Sequence, residues 1–270
     1  MKQKNNATTV PFVDRPPTDL EVERFRLILS TYQDGSGMLE RGTLPGWRDF
    51  ERSVAAAFNG LTSESKFIYD VLIPVPDKEH TQFYGIDCKM RQTLNLVDSK
   101  GYVTVEISNA SSEFWDVVKK HGITQEDYDK YPLRVAEAIL TCIESWHEAE
   151  SINSGGDLII EQSCYLILQW SRKSGEYQLF QYPALLPKPE FLEWKVDGRR
   201  LIGIHNKHVL IEWYGLSGGQ LKYYPLEKDA VWISQRFKLE PLPIDLESGL
   251  SSKAASYFPE AWERTKNPGF

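Results

Sequence analysis

The sequence predicts an α/β fold, a mixed central sheet flanked by helices and extended by additional strands in the C-terminal half. Three observations predict it. Two early stretches read as helices, one from its cap and breaker and one from apolar residues at helical spacing, the period changes to two from about Lys66, and the second half is a run of short aromatic-rich segments that read as strands. With 270 residues the chain can bury a substantial core, and 41% hydrophobic with 26% charged residues excludes a disordered or membrane-embedded class.

In chain order, residues 1–17 are polar and turn-prone around Asp14-Arg15-Pro16-Pro17, which predicts a loose arm. Thr18 or Asp19 caps a helix to about Tyr32, and Asp34-Gly35-Ser36-Gly37 ends it. A second helix starts near Pro45-Gly46, with Trp47, Phe50, Val54, Ala57 and Phe58 on its core face. FIYDVLIPV and FYGIDCKM then read as two strands of a hairpin about the turn-rich segment 76–80, in which His80 is expected to be exposed. YVTVEIS (102–108) is a third strand, and helices are expected over about 111–121 and 125–149. After Asn153-Ser154-Gly155-Gly156, the segments LIIEQSCYLILQW, GEYQLFQYP, FLEWKV, RRLIGI, HVLIEWYG and QLKYYPL extend the central sheet or add a small β lobe. One short helix is expected from Pro259 to Phe270.

Several function classes fall away on composition. No apolar run reaches the ~20 residues of a membrane span, and the N-terminus has neither the apolar stretch nor the cleavage site of a secretory signal, so a cytoplasmic location is expected. Cys88, Cys142 and Cys164 are widely spaced in apolar surroundings, which suits reduced core thiols better than disulfides, and no zinc-type spacing exists. The net charge of −7 excludes a generally basic surface, so any nucleic-acid binding needs a local basic cleft.

The chemistry-bearing residues lie on the hairpin. Sixteen residues separate Asp70 from Asp87, so folding between Lys78 and Glu79 sets them directly opposite. Opposed side chains have Cβ atoms ~4.5–5.5 Å apart, and two carboxylates at that distance call for a cation. Carboxylate oxygens completed by waters and a substrate phosphate suit Mg²⁺. Lys89 follows Asp87 by two positions and shares its face with Arg91, while Ile86, Cys88 and Met90 turn to the core. A metal beside an ammonium is the equipment for phosphodiester hydrolysis.

The succession GWRDFERSVAAAF, YDVLIPV and YGIDCKMR resembles the core of the PD-(D/E)XK nucleases, and the layout is similar to that of type II restriction endonucleases. Tyr69 stands where the motif has proline, and Asp87 where glutamate is commoner. The resemblance implies a restriction-endonuclease-like core with Asp70 and Asp87 as metal ligands, Lys89 as the catalytic lysine and Glu51 as the auxiliary acid on the preceding helix. It covers about residues 44–121 and divides the chain into an N-terminal arm and helix (1–43), a catalytic core (44–152) and a β-rich continuation with DNA-recognition elements (153–270). Double-stranded DNA is the implied partner, and palindromic sites imply a homodimer.

Glu106, on the third strand, reads either as a further acidic ligand or as an ion-paired surface residue. The DNA-contact candidates are Arg91, Asn109, Arg199, Arg200, Gln220 and Lys222. Arg and Gln can read guanine and adenine edges, and the turn Ser217-Gly218-Gly219 next to Gln220 offers exposed donors. Asn109 is equally an ordinary helix cap, and the Gly-rich turn equally a plain hairpin turn. Two rival functions stand beside restriction. One is a repair or recombination nuclease of the same core, marked by dependence on DNA structure; the other is a non-catalytic nucleic-acid-binding module, marked by binding that survives chelation.

Overall fold

The computed structural model describes residues 9–37, 44–62, 68–76, 81–153, 157–243 and 246–266. Helix α1 (Asp19–Ser30) begins at a capping box: the Thr18 hydroxyl accepts from the Glu21 N–H, and the Glu21 carboxylate accepts from the Thr18 N–H at 2.7 Å. It ends at Ser30, and a 3-10 turn over Thr31–Asp34 carries the chain on to Gly35, which takes a left-handed φ of 89°. Helix α2 (Trp47–Phe58) buries Phe50, Val54, Ala57 and Phe58, as its spacing predicts. Trp47 departs from that stripe: it is 50% exposed, with the Arg48 guanidinium 4.9 Å over its ring.

The strands β1 (Leu61–Thr62), β2 (Val71–Pro76) and β3 (Thr81–Arg91) are antiparallel neighbours. Helix α3 (Leu94–Lys100), strand β4 (Val105–Ser108) and helices α4 (Ser111–Lys120) and α5 (Pro132–Asn153) follow. Proline lacks the N–H that a first turn leaves unbonded anyway, so Pro132 starts α5 seven residues later than expected from periodicity. Next come β5 (Cys164–Ser171), β6 (Glu176–Pro183), β7 (Glu193–Asp197), β8 (Arg200–His205), β9 (His208–Trp213), β10 (Leu221–Tyr223), β11 (Trp232–Ile233) and β12 (Phe237–Lys238). The C-terminal part holds two helices, α6 (Leu246–Tyr257) and α7 (Pro259–Lys266), where one was expected.

The architecture is α/β. The central sheet runs β1-β2-β3-β5-β6-β11, with β12 also on β6, and is mixed because β3 and β5 are parallel. Strands β7 to β10 do not extend it. They join β4 in a second, antiparallel sheet ordered β4-β10-β9-β8-β7, so of the segment 102–108 the strand residues Val105–Ser108 belong to the second sheet. Leu201, Ile211, Trp213 and Leu221 bury one face of that sheet against Phe114, Trp115, Val135 and Ile139 of α4 and α5.

Each face of the central sheet has its own core. On one, Ile86, Cys88, Leu166 and Leu168 pack with Phe25, Phe50 and Val54 of α1 and α2. On the other, Tyr165 and Ile167 pack with Val103 and Val105 at β4. Parallel pairing sets Asp87 beside Tyr165 and Lys89 beside Ile167, which places the two charged residues between layers. Residues 9–17 are not a loose arm. Val10 and Phe12 are buried, the Tyr84 hydroxyl donates to the Pro11 carbonyl, and Gln181 Nε2 donates to the Phe12 carbonyl at 2.8 Å. These buried side chains anchor the stretch, while Thr9, Asp14 and Pro16 stay exposed. Cys88, Cys142 and Cys164 are free and buried, as expected. Among the described residues, no helix is long and apolar enough to cross a membrane.

Gly85 is required by a close approach. A Cβ there would lie 2.2 Å from the Tyr69 ring, which stacks over the strand immediately before Asp70. Gly85→Ala is expected to displace Tyr69 and destabilise the fold by about 1–3 kcal/mol, the usual range for overpacking, measurable by chemical denaturation. An unchanged midpoint would show that the ring yields freely.

Candidate active site

The β2–β3 register pairs Val71 with Ile86, so Asp70, one residue before β2, faces Asp87 as the hairpin arithmetic requires. The Asp70 N–H donates to the Ile86 carbonyl at 3.1 Å, and its Oδ2 accepts from the Cys88 N–H at 2.8 Å. That carboxylate thus carries the ladder past the strand end. Asp87 is only 2% exposed, and its Oδ1 lies 2.5 Å from Lys89 Nζ. Alternation turns Cys88 into the opposite core.

These side chains line a cleft of about 420 Å³. Asp70, Asp87 and Lys89 form one side, and Ile107, Trp146 and Glu150 are on the others. The face that the sequence suggests is simply accessible is therefore roofed by β4, α4 and α5.

Burial and the neighbouring Asp87 charge push the Asp70 carboxyl from 3.8 up to about 8, against the opposing pull of Lys89. Burial by itself would lower the Lys89 pKa, but Asp87 and Asp70 outweigh it and the ammonium is held more firmly. Glu51, half-buried on α2, is pushed up to about 7, chiefly by burial, and responds to the charges of Lys89 and Asp87. It is near the cluster electrostatically without being among the side chains that line the cleft.

Among the described residues, no three His, Cys, Asp or Glu side chains group closely enough to hold a metal ion by themselves. The donor set is the pair Asp70 and Asp87. Such a pair fits Mg²⁺, which commonly takes one or two carboxylates and completes its octahedron with water and substrate phosphate. A buried carboxyl with a pKa near 8 is also a group that a cation would stabilise in its charged form.

Periodicity did not reveal what α5 contributes. Tyr69 is fully buried, and its hydroxyl is 2.7 Å from His147 Nδ1, tying α5 to the residue before Asp70. Burial lowers the His147 pKa to about 4. Glu150, one turn on, is 4% exposed, and its Oε2 has no hydrogen-bond partner. A helical wheel marks these as one face of α5, but not which layer that face covers.

The candidates for DNA contact are mostly engaged within the chain. Arg91 pairs with Glu106, which also accepts from Asn109 Nδ2 at 2.9 Å, so Glu106 is ion-paired. Arg200 binds Glu212 at 2.6 Å and Asp197 at 2.7 Å, and Arg199 donates to the Leu216 carbonyl. Lys222 lies 4.7 Å over the Tyr214 ring. Pairing aligns Glu106, Lys222 and Glu212 across β4, β10 and β9, so a row of alternating charge runs from Arg91 to Arg200. Gly218 and Gly219 adopt left-handed φ of 95° and 69°, and Gly219 packs on Ser111 in a tight turn. Gln220, next along, is half-buried, and its carbonyl accepts from the Tyr214 N–H. Lys66, His80 and the turn at 77–80 lie outside the described residues.

Compared with protein-family models, with curated proteins and with solved structures, the chain matches none.

Proposed function

We propose that the chain is a Mg²⁺-dependent endonuclease of the PD-(D/E)XK type that hydrolyses phosphodiester bonds in double-stranded DNA. In its finer form the proposal is a sequence-specific type II restriction enzyme, working as a cytoplasmic homodimer. One observation carries it: two opposed acidic side chains and a lysine, contributed by one hairpin, share a cleft in which burial makes uncompensated carboxylates unfavourable.

Asp70 and Asp87 would hold the ion, which when bound polarises the phosphoryl group and lowers the pKa of an attacking water. Lys89 keeps its proton and offsets charge developing on the phosphorane oxygens. Asp87 fixes the position of that ammonium through their ion pair. Glu51 supplies the auxiliary acid from α2. Arg91, Asn109, Arg199, Arg200, Gln220 and Lys222 would hold the duplex, with phosphates displacing Glu106 and Glu212 from their arginines.

Incubation with supercoiled plasmid and phage DNA tests the assignment. Wild type is expected to yield discrete fragments with Mg²⁺ and none with EDTA, and Asp87→Ala to be slower by at least about 1,000-fold, since it removes a ligand and the partner of Lys89. Equal cutting by the variant would remove the site. Binding that persists in EDTA, without cutting under any divalent cation, would replace the nuclease by a binding module.

A further inference from the structure

The cleft has a wall that hydrolysis leaves unused. Trp146 and Glu150 stand one turn apart on α5 and both line it. The Trp146 indole lies 5.5 Å from the Phe114 ring at 31°, which fixes its plane, while Ile107 and Ala110 add apolar surface next to it. Glu150 brings a carboxylate to this wall, and its Oε2 is buried without a hydrogen-bond partner. An unpaired buried acceptor costs about 1–3 kcal/mol, so a ligand that donates there is favoured. A flat aromatic ring beside an unsatisfied acceptor suits a planar heterocycle bearing an N–H group.

The dimensions point to the same kind of ligand. About 420 Å³ is the size of a small-ligand pocket and admits roughly one nucleotide, not the cross-section of a duplex. Asp87 is recessed at 2% exposure, so a phosphate on the outside of an intact helix has to enter the cleft to meet it. A nucleotide turned out of the stack brings its phosphate to Asp70 and Asp87 and its base to α5 together.

We propose that Trp146 and Glu150 form a nucleobase subsite that receives one base lifted from the duplex, with an exocyclic amino group donating to Glu150. The amino group restricts the base to adenine, cytosine or guanine. This deepens the nuclease reading and rests on it for the strand that is cut. Unstacking is least costly where a nucleotide is already unpaired, so such a duplex is the preferred form.

Anisotropy with a labelled 30-nucleotide DNA tests the subsite by binding alone, in Ca²⁺ and in EDTA. Three duplexes are compared, differing at one position: paired cytosine, unpaired cytosine, and unpaired pyrimidinone, which lacks the amino group. Wild type is expected to bind the unpaired cytosine about 10-fold tighter than the pyrimidinone, which stacks but offers Glu150 no donor, and at least about 10-fold tighter than the paired cytosine, a base–aromatic stack being worth ~1–3 kcal/mol. Trp146→Ala should remove most of this preference and Trp146→Phe retain it, which separates loss of the ring from loss of the fold. Glu150→Leu should make cytosine no better than pyrimidinone. Equal binding of all three duplexes by wild type, or a preference that survives both Trp146→Ala and Glu150→Leu, would overturn the subsite. Plasmid cutting without the preference would leave the nuclease standing and remove the subsite; the preference without cutting would do the reverse.

Discussion

Asp70→Asn is expected to abolish Mg²⁺-dependent cleavage and, in the metal-free chain, to raise thermal stability. The two effects have one cause. The folded Asp70 carboxyl titrates at about 8, well above its ordinary 3.8, so the folded state binds a proton that the unfolded chain has already released. A carboxyl raised in this way leaves stability intact below about pH 4. Stability is then lost as the pH rises towards 8, at up to ~1.4 kcal/mol per unit. Asparagine keeps an oxygen to accept from the Cys88 N–H and has no charge to desolvate. At that slope over about three to four pH units the expected gain at pH 7–8 is on the order of 4 kcal/mol, about ten degrees in Tm for a chain of this size, and it should vanish near pH 4. Mg²⁺ should raise the wild-type Tm at pH 8 and leave that of the variant unmoved, because only a binding-competent native state is stabilised by mass action. A variant less stable than wild type in EDTA at pH 8 would contradict this account of the pair.

Lys89→Ala is expected to act with the opposite sign on stability. Removing the ammonium leaves Asp87 buried beside Asp70 without its 2.5 Å partner, and breaking a buried pair from one side costs about 3 kcal/mol or more. The metal-free variant should therefore melt earlier than wild type. Cleavage should fall by about 100- to 1,000-fold, the usual effect of removing one group that stabilises developing charge. Mg²⁺ should restore part of the stability, because the cation replaces the lost charge at Asp87, but not the rate. Lys89→Arg keeps a charge but presents a planar fork where a compact ammonium stood, so it should rescue stability better than cleavage. A variant that is stabilised by Mg²⁺ and cuts at the wild-type rate would reduce Lys89 to a structural counterion.

Together the two variants separate the roles in the cluster. A purely structural trio would lose stability with either substitution, whereas a cation site in its metal-free form holds one carboxylate too many and is relieved by losing it.

Much of this cluster was legible in the sequence because its determinants are local. A turn-rich stretch between two alternating runs sets the centre of the hairpin, and the centre sets which residues oppose. Asp70 against Asp87 follows by counting, as does the placement of Lys89 on the same face and Cys88 on the other. The capping box at Thr18 and Glu21, the stripe of Phe50, Val54, Ala57 and Phe58, and the three reduced cysteines were readable for the same reason.

What the tertiary structure decided depends on pairings between residues far apart in the chain. Period two says that 105–108 is extended, but not that it leaves the central sheet to pair with Leu221–Tyr223. A helical wheel groups Trp146, His147 and Glu150, but only the packing of α5 beside the hairpin turns that face towards Asp70. The basic residues tell the same story. Arg91 and Arg200 look like free cations in the sequence, and strand register brings Glu106 and Glu212 beside them. The sequence by itself determined which groups meet across one hairpin, because alternation and turn position act over a few residues. Tertiary structure decided what roofs those groups and which charges are neutralised, because burial and ion pairing are settled only when distant segments come together.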